Sequence, residues 1–422
     1  MATTIFCQEP HKQQRVSGCL FILLAVLSMT PLCITPASGS GTEIISQSSN
    51  LITNGGYLVR SDKKTISYRE NDIFLPASTL KLLTSLAAFD LLTPDFRFET
   101  HFYLDDKQNL YIKGFGDPFL TSEEILYICS ILKKRGASRV RTVFLDDSSY
   151  SLHDQTPGTT SSNNPYDAPN GALAVNFNTL AINKLADGTI LSAEPQTPTL
   201  PIMQLLGVDL PSGVQRVNIK TAKDIGQIPI QLQYVGELFC AMMRQAGIRV
   251  ESGFQSGPVP LSLQPLYIHR NSKTLHEVIK ECLHYSNNFI ANQVFLYCGL
   301  QTSGAPATWN KARKFMENYL TETLALSPKH ISVEDGSGLS RHNRISAVAL
   351  VTILERFRPY SSLLNKQDGL MLKSGTLQGV YCYGGYFTVS EELVPFAILL
   401  NQKENTRDEL LKRLHSLYDS HP

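Results

Sequence analysis

The segment Leu75–Leu92, LPASTLKLLTSLAAFDLL, reads as a helix with almost no polar face; only Ser78, Lys81 and a few small hydroxyls interrupt it. A helix that is apolar all round has to be enclosed by other elements, so the chain must build layers on more than one side of it. A lysine in its first turn is then doubly out of place. The positive end of the helix dipole opposes the ammonium, and apolar surroundings disfavour the charged form. Both effects lower its pKa. Ser78 stands three positions before Lys81, on the same helix face. A lysine partly neutral near pH 7 can take a proton from that hydroxyl, the logic of a Ser-x-x-Lys nucleophile as an alternative to a Ser-His pair. Taken alone, the pair also fits an N-cap serine beside a snorkelling lysine.

The elements around this helix alternate in texture. GYLVRSDKKTISYREND, from Gly56, reads as a hairpin turning at Ser61–Lys64. After Phe96 come short strand-like pieces and turn clusters, with one amphipathic helix over Glu123–Arg135. The middle third, 95–265, is expected to be a β-rich insert; 42–94 and 266–422 carry helices and antiparallel strands around it. Three strands are expected between Leu370 and Gln402, then a closing helix, RDELLKRLHSLY. Its leucines at 410, 411, 414 and 417 share a face; packing on the last strands is preferred over a membrane-surface role because acidic residues are mixed in.

At the N-terminus, Lys12 and Arg15 precede the apolar run Cys19–Met29, which fades through Pro31 and Pro36 into small residues. That pattern predicts a secretory signal peptide over 1–38, cleaved near Ala37–Gly39, and the run falls short of the roughly 20 apolar residues a span needs. Cys19 precedes the apolar run, which argues against a lipid-attachment site. The protein is therefore expected to be periplasmic or otherwise exported, with no stable membrane span after processing. Of eight cysteines, Cys129, Cys240, Cys282, Cys298 and Cys382 lie beyond the leader. Their odd number and the chain's size predict small buried hydrophobes, with at most two bridges. The 422 residues carry 38 basic and 37 acidic side chains, net +1, so nothing marks a nucleic-acid partner.

Two further motifs follow the first. Ser286-Asn287-Asn288 is a Ser-x-Asn within or just ahead of an apolar helix, and Lys373-Ser374-Gly375-Thr376 lies on an expected strand. Ser-x-x-Lys recurs at Ser61–Lys64 and Ser130–Lys133, where only Ser78–Lys81 has the buried helix-start setting, and Ser-x-Asn, weak by itself, recurs at Ser48–Asn50 and Ser162–Asn164. The order Ser-x-x-Lys, Ser-x-Asn, Lys-[Ser/Thr]-Gly is shared by penicillin-binding proteins and serine β-lactamases.

With GFGDPFL, GALAVNFN, YSNNFIANQVF, EDGSGLSRHNRIS and LKSGTLQGVYCYGGYF, the chain resembles the D-alanyl-D-alanine carboxypeptidase/endopeptidases among low-molecular-mass penicillin-binding proteins. The resemblance implies an α+β fold, a transpeptidase/β-lactamase-like core of antiparallel sheet and helices carrying a β-rich inserted domain. It implies a serine D,D-peptidase acting on peptidoglycan stem peptides and cross-links, with β-lactams as covalent inhibitors and no cofactor or metal. Carried over, Ser78 is the nucleophile and Lys81 the general base. Ser286 relays a proton to the leaving amine, and Asn288 holds Lys81 and the substrate amide. Lys373, Ser374, Gly375 and Thr376 seat the terminal carboxylate, with the N–H groups of Ser78 and Thr376 as oxyanion hole.

Ser374 stands where threonine is common, and the stretch between ERFRPY and KSGT is short, as is the insert. Asp147, with Asp146, matches the place where some relatives hold the amine of the third stem residue; a strand-ending turn pair explains them equally well. His342 and Asp335 are read as structural. A β-lactamase is the nearest rival, but no Glu-x-x-Leu-Asn segment follows Ser286–Asn288. An idle wall-binding scaffold is disfavoured by the intact reactive positions. A metallopeptidase is disfavoured because HEVIK at His276 lacks the second histidine of the His-Glu-x-x-His zinc motif.

Overall fold

The computed structural model describes residues 50–152, 156–220, 228–389 and 392–419. The expected leader, with Cys7, Cys19 and Cys33, lies outside the described residues. The principal elements are β1 (Gly55–Arg60), β2 (Thr65–Tyr68), α1 (Lys81–Leu92), β3 (Glu99–Leu104), β4 (Leu110–Gly114), α2 (Ser122–Lys134) and β5 (Val143–Asp146). Then come α3 (Ile230–Gln245), β6 (Phe254–Ser256), β7 (Pro265–Arg270), α4 (Leu275–His284), α5 (Asn288–Ser303) and α6 (Ala347–Phe357). The last are β8 (Leu370–Leu377), β9 (Val380–Val389), β10 (Glu392–Leu400) and α7 (Arg407–Asp419).

The architecture is α+β, as expected. One antiparallel sheet runs in the order Asn365–Gln367, β8, β9, β10, β1, β2, so among the described residues the first and last strands pair inside it. The expected hairpin turns at Ser61–Lys64, where the Ser61 hydroxyl and the Lys64 backbone bond each other. Helix α6 lies against this sheet, and α1 packs among α4, α5 and α6, with its residues from Lys81 to Phe89 all buried. That enclosure is what its unbroken apolar character demands. On the sheet's other face α7 inserts Leu410, Leu411, Leu414 and Leu417 among Tyr57, Val59, Phe387 and Phe396. Its leucine face is used for packing, and among the described residues no helix is long and apolar enough to cross a membrane.

Residues 99–270 contribute a second sheet, ordered β6, β5, β4, β3, β7, in which β5 runs parallel to both its neighbours. It shares a separate core with α2 and α3, from Phe102 and Ile112 to Phe239 and Met243. Cys129, Cys240, Cys282, Cys298 and Cys382 are all free and buried, so no disulfide joins them. Burial pushes their thiols up, Cys282 to about 11 and Cys382 to about 12.

Candidate active site

The sequence predicts one helix from Leu75; the chain instead makes a 3-10 turn over Ala77–Leu80 before α1 begins at Lys81. Pro76 precedes that turn, and Ala77 has φ of +47°, a conformation an alanine adopts only when its surroundings impose it. Ser78 therefore sits on a constrained corner, half-exposed, while Lys81 is 0% exposed. Ser286 also has positive φ, +55°. It lies just ahead of α5, whose N-cap Asn287 accepts from the Ile290 N–H. Two strained non-glycine residues beside a cluster of reactive groups mark a place where packing dictates backbone geometry.

Lys81 Nζ lies 2.8 Å from Ser78 Oγ, 2.7 Å from Asn288 Oδ1 and 2.8 Å from the Ser337 carbonyl. The Asn288 amide is oriented by its Nδ2, which donates to the Tyr166 carbonyl at 3.2 Å. Burial pulls the Lys81 ammonium down to about 7, and the positive charge of Lys373 adds to that. A neutral amine has two N–H donors and one lone pair. Asn288 Oδ1 and Ser337 O are acceptors only, so they take both donors and leave the lone pair facing the Ser78 hydroxyl. The arrangement can remove a proton from Ser78 without a histidine.

Lys373 Nζ bonds Ser286 Oγ and the Ser374 carbonyl, each at 2.9 Å. Burial lowers it to about 8, with a smaller push from Arg407. A Cβ on Gly375 would fall 2.7 Å from Pro76 O and 2.9 Å from Ser78 N, so a side chain there would separate β8 from the Ser78 corner. Ser374 and Thr376 are exposed on the alternate face of β8. A cavity of about 730 Å³ opens beside Ser286 and Asn288, walled by Tyr166, Phe177, Tyr285 and Phe289.

The structure thus gathers Ser78, Lys81, Ser286, Asn288, Lys373 and Gly375. Asp147 is not part of this hydrogen-bonded cluster; it is exposed after β5. Asp146 is buried and occupied, bonding Lys113 at 3.1 Å and the N–H of Val259 at 2.9 Å. The other Ser-x-x-Lys pairs stay apart from the cluster, with the Ser130 hydroxyl turned back to the Tyr127 carbonyl. Among the described residues no group of side chains is placed to hold a metal ion. Sequence reasoning missed the Ser337 carbonyl, because a backbone acceptor has no residue-type signal. It also missed Arg407, which bonds Gly375 O and Thr376 Oγ1 from α7.

The profile of the D-Ala-D-Ala carboxypeptidase 3 (S13) family matches residues 45–205 and 228–371. The chain belongs to that family. It is 24% identical over 395 residues to a D-alanyl-D-alanine carboxypeptidase of Actinomadura sp. (strain R39), covering 78% of this chain and 73% of that one. It is 24% identical over 411 residues to the D-alanyl-D-alanine carboxypeptidase DacB of Haemophilus influenzae, covering 83% and 85%. The crystal structure of penicillin binding protein 4 (dacB) from Haemophilus influenzae superimposes with a TM-score of 0.72 at 20% identity, covering 89% of this chain and 98% of that one. The family member described here therefore has the fold of that protein, as its motifs lead one to expect.

Proposed function

We propose that the protein is a periplasmic or otherwise exported serine D,D-peptidase that hydrolyses D-Ala-D-Ala bonds of peptidoglycan stem peptides and cross-links and is acylated by β-lactams. The observation that carries this is the Lys81 amine, whose two donors are taken by Asn288 Oδ1 and Ser337 O so that its lone pair meets the Ser78 hydroxyl. The D-Ala-D-Ala carboxypeptidases among its relatives support the substrate class. In this reading Lys81 takes the Ser78 proton as Ser78 Oγ bonds to the scissile carbonyl carbon. The oxyanion is held by the N–H groups of Ser78 and Thr376, where one donor is typically worth about 3–4 kcal/mol. Ser286, held by Lys373, relays the proton from Lys81 to the leaving amine as the C–N bond breaks, which leaves Lys81 neutral, and water then cleaves the ester on Ser78. Asn288 also binds the substrate amide. Lys373, Ser374, Gly375 and Thr376 form the seat of the terminal carboxylate, and Asp147 is offered for the amine of the third stem residue. The segments 42–94 and 266–422 act as the catalytic domain and 95–265 as an insert, supported by the separate core of the latter.

Intact-mass analysis of the mature protein after exposure to benzylpenicillin tests this. A stable adduct mapped to the Ser78 peptide is expected, with release of D-alanine from a stem pentapeptide and splitting of a cross-linked dimer. Rapid turnover of the drug would make the protein a β-lactamase instead; intact drug with no adduct would leave an idle scaffold. Gly375→Ala is expected to slow acylation about 10- to 100-fold, because displacements of this size at a reacting centre cost that much. An unchanged rate in that variant would show that β8 need not touch the Ser78 corner.

A further inference from the structure

Arg407 opens helix α7 and is only 9% exposed. One of its terminal nitrogens, Nη1, donates to Gly375 O at 3.2 Å, Thr376 Oγ1 at 3.2 Å and Cys382 O at 3.3 Å. Its guanidinium lies 3.9 Å from the centre of the Tyr383 ring, and the Tyr383 hydroxyl donates to Asp408 Oδ1 at 2.7 Å. Asp408, itself 65% exposed, approaches Arg407 Nε only to 3.7 Å. The cation is thus fixed by packing against Tyr383, by two oxygens of the β8 segment that carries Gly375 and Thr376, and by the Cys382 carbonyl on the neighbouring strand β9.

Arginine offers donors only, whereas a threonine hydroxyl has one proton and two lone pairs. Because Arg407 donates to Thr376 Oγ1, that oxygen is an acceptor in this contact and its own proton is left for a partner elsewhere. Thr376 is exposed, as is Ser374 two residues earlier on the same strand face. We infer that Arg407 is a positioning residue for the substrate's terminal carboxylate: it holds Thr376 Oγ1 so that the hydroxyl donates outward, and it places a buried positive charge behind that donor. The inference rests on the proposed role of Thr376 in seating the carboxylate. The same guanidinium reaches Lys373 electrostatically, secondary to burial, so it acts on both ends of the Lys373–Thr376 segment. A hydroxyl committed in this way favours an anion with acceptors only, which is what the C-terminus of a peptide or the carboxylate of a penicillin presents.

The test compares two acylating agents of Ser78, benzylpenicillin with its carboxylate and the neutral phenyl ester of N-acetyl-D-alanine. Both are followed by intact mass against time with the wild-type mature protein, Arg407→Met, Arg407→Lys and Thr376→Val. Arg407→Met is expected to slow benzylpenicillin about 10- to 100-fold, the range for losing a hydrogen bond to a charged group, and the ester less than about 3-fold. Arg407→Lys keeps the charge but loses the fork, and falls between. In a Thr376→Val background the same arginine substitution should cost less than it does alone, the non-additivity of groups acting through one another. Should Arg407→Met not fold, Arg407→Lys and the Thr376→Val cycle built on it carry the comparison. Equal slowing of both agents, or slowing of neither, overturns the role of Arg407 while leaving Ser78 as nucleophile. A wild-type protein acylated by neither agent overturns the nucleophile reading, and this inference with it.

Discussion

Lys81→Met is expected to slow acylation of Ser78 by about 10²- to 10⁴-fold, the usual worth of a positioned general base, while Ser78→Ala removes the adduct altogether. Methionine fills the space beside α4 and α5 but leaves nothing to accept the hydroxyl proton. The pH dependence gives the sharper signature. In the proposed mechanism the productive form of Lys81 is neutral, and burial places its ionisation at about 7. Acylation should therefore fall as pH drops through that value, about tenfold per unit once the amine is mostly protonated. Lys373, lowered to about 8 chiefly by burial, is proposed to serve as a cation, so the rate should fall again as pH rises through that value. The two lysines repel each other, so the two limbs of the bell belong to the pair. In Lys81→Met the acid limb should vanish. A wild-type rate that stays flat from about pH 5 to about pH 9 would contradict a lysine base, as would an acid limb that survives the substitution. Circular dichroism and thermal unfolding of the variant separate loss of the base from loss of the fold.

What was legible in the sequence follows residue type, and what was hidden follows tertiary placement. A lysine inside LPASTLKLLTSLAAFDLL announces its own discomfort, because helix ends and apolar neighbours are local properties. The structure keeps that lysine wholly buried, as the pattern required. The start of the helix was less legible. Pro76 is a local signal, but the close approach of Gly338 to the Ala77 carbonyl, where a Cβ would clash, is a contact far apart in sequence, and the two together frame a 3-10 corner at Ser78. The positive φ of Ser286 is of the same kind: nothing in HYSNNF requires it, but reaching Lys373 from the end of α4 does. Arg407 was overlooked because its helix advertises a leucine stripe, and that stripe explains packing without mentioning the arginine one turn earlier. The choice between Asp146 and Asp147 was open in the sequence. Lys113 and the Val259 N–H engage Asp146, which leaves Asp147 as the exposed carboxylate.

The loop Glu334–Asn343 predicts the largest loss of stability from one substitution at the site. Asp335 is 0% exposed. Its Oδ2 accepts from Ser337 Oγ at 2.6 Å and Leu339 N at 3.3 Å, and its Oδ1 from Asn343 Nδ2 at 2.6 Å and Gly338 N at 3.2 Å. One carboxylate therefore folds the loop around itself, and the loop in turn presents Ser337 O to Lys81 and Gly336 O to the Thr84 hydroxyl. Asp335→Ala strips these donors of their acceptor inside the core, and each buried donor left unsatisfied costs about 1–3 kcal/mol. It should also free the Ser337 carbonyl to drift, and an error of about 1 Å at a catalytic group is enough to cost about 10²-fold. A lower unfolding midpoint in urea and slower acylation by benzylpenicillin in the folded fraction are both expected. Ser337→Ala is the informative contrast, because Lys81 bonds the carbonyl of residue 337 and not its hydroxyl. That variant loses one side-chain bond to Asp335 yet keeps the acceptor, so its acylation rate should stay within about 3-fold of wild type. If Asp335→Ala left both midpoint and rate unchanged, the loop would owe its shape to something other than this carboxylate. If Ser337→Ala slowed acylation as much as Lys81→Met, the hydroxyl rather than the carbonyl would be the group that orients the base.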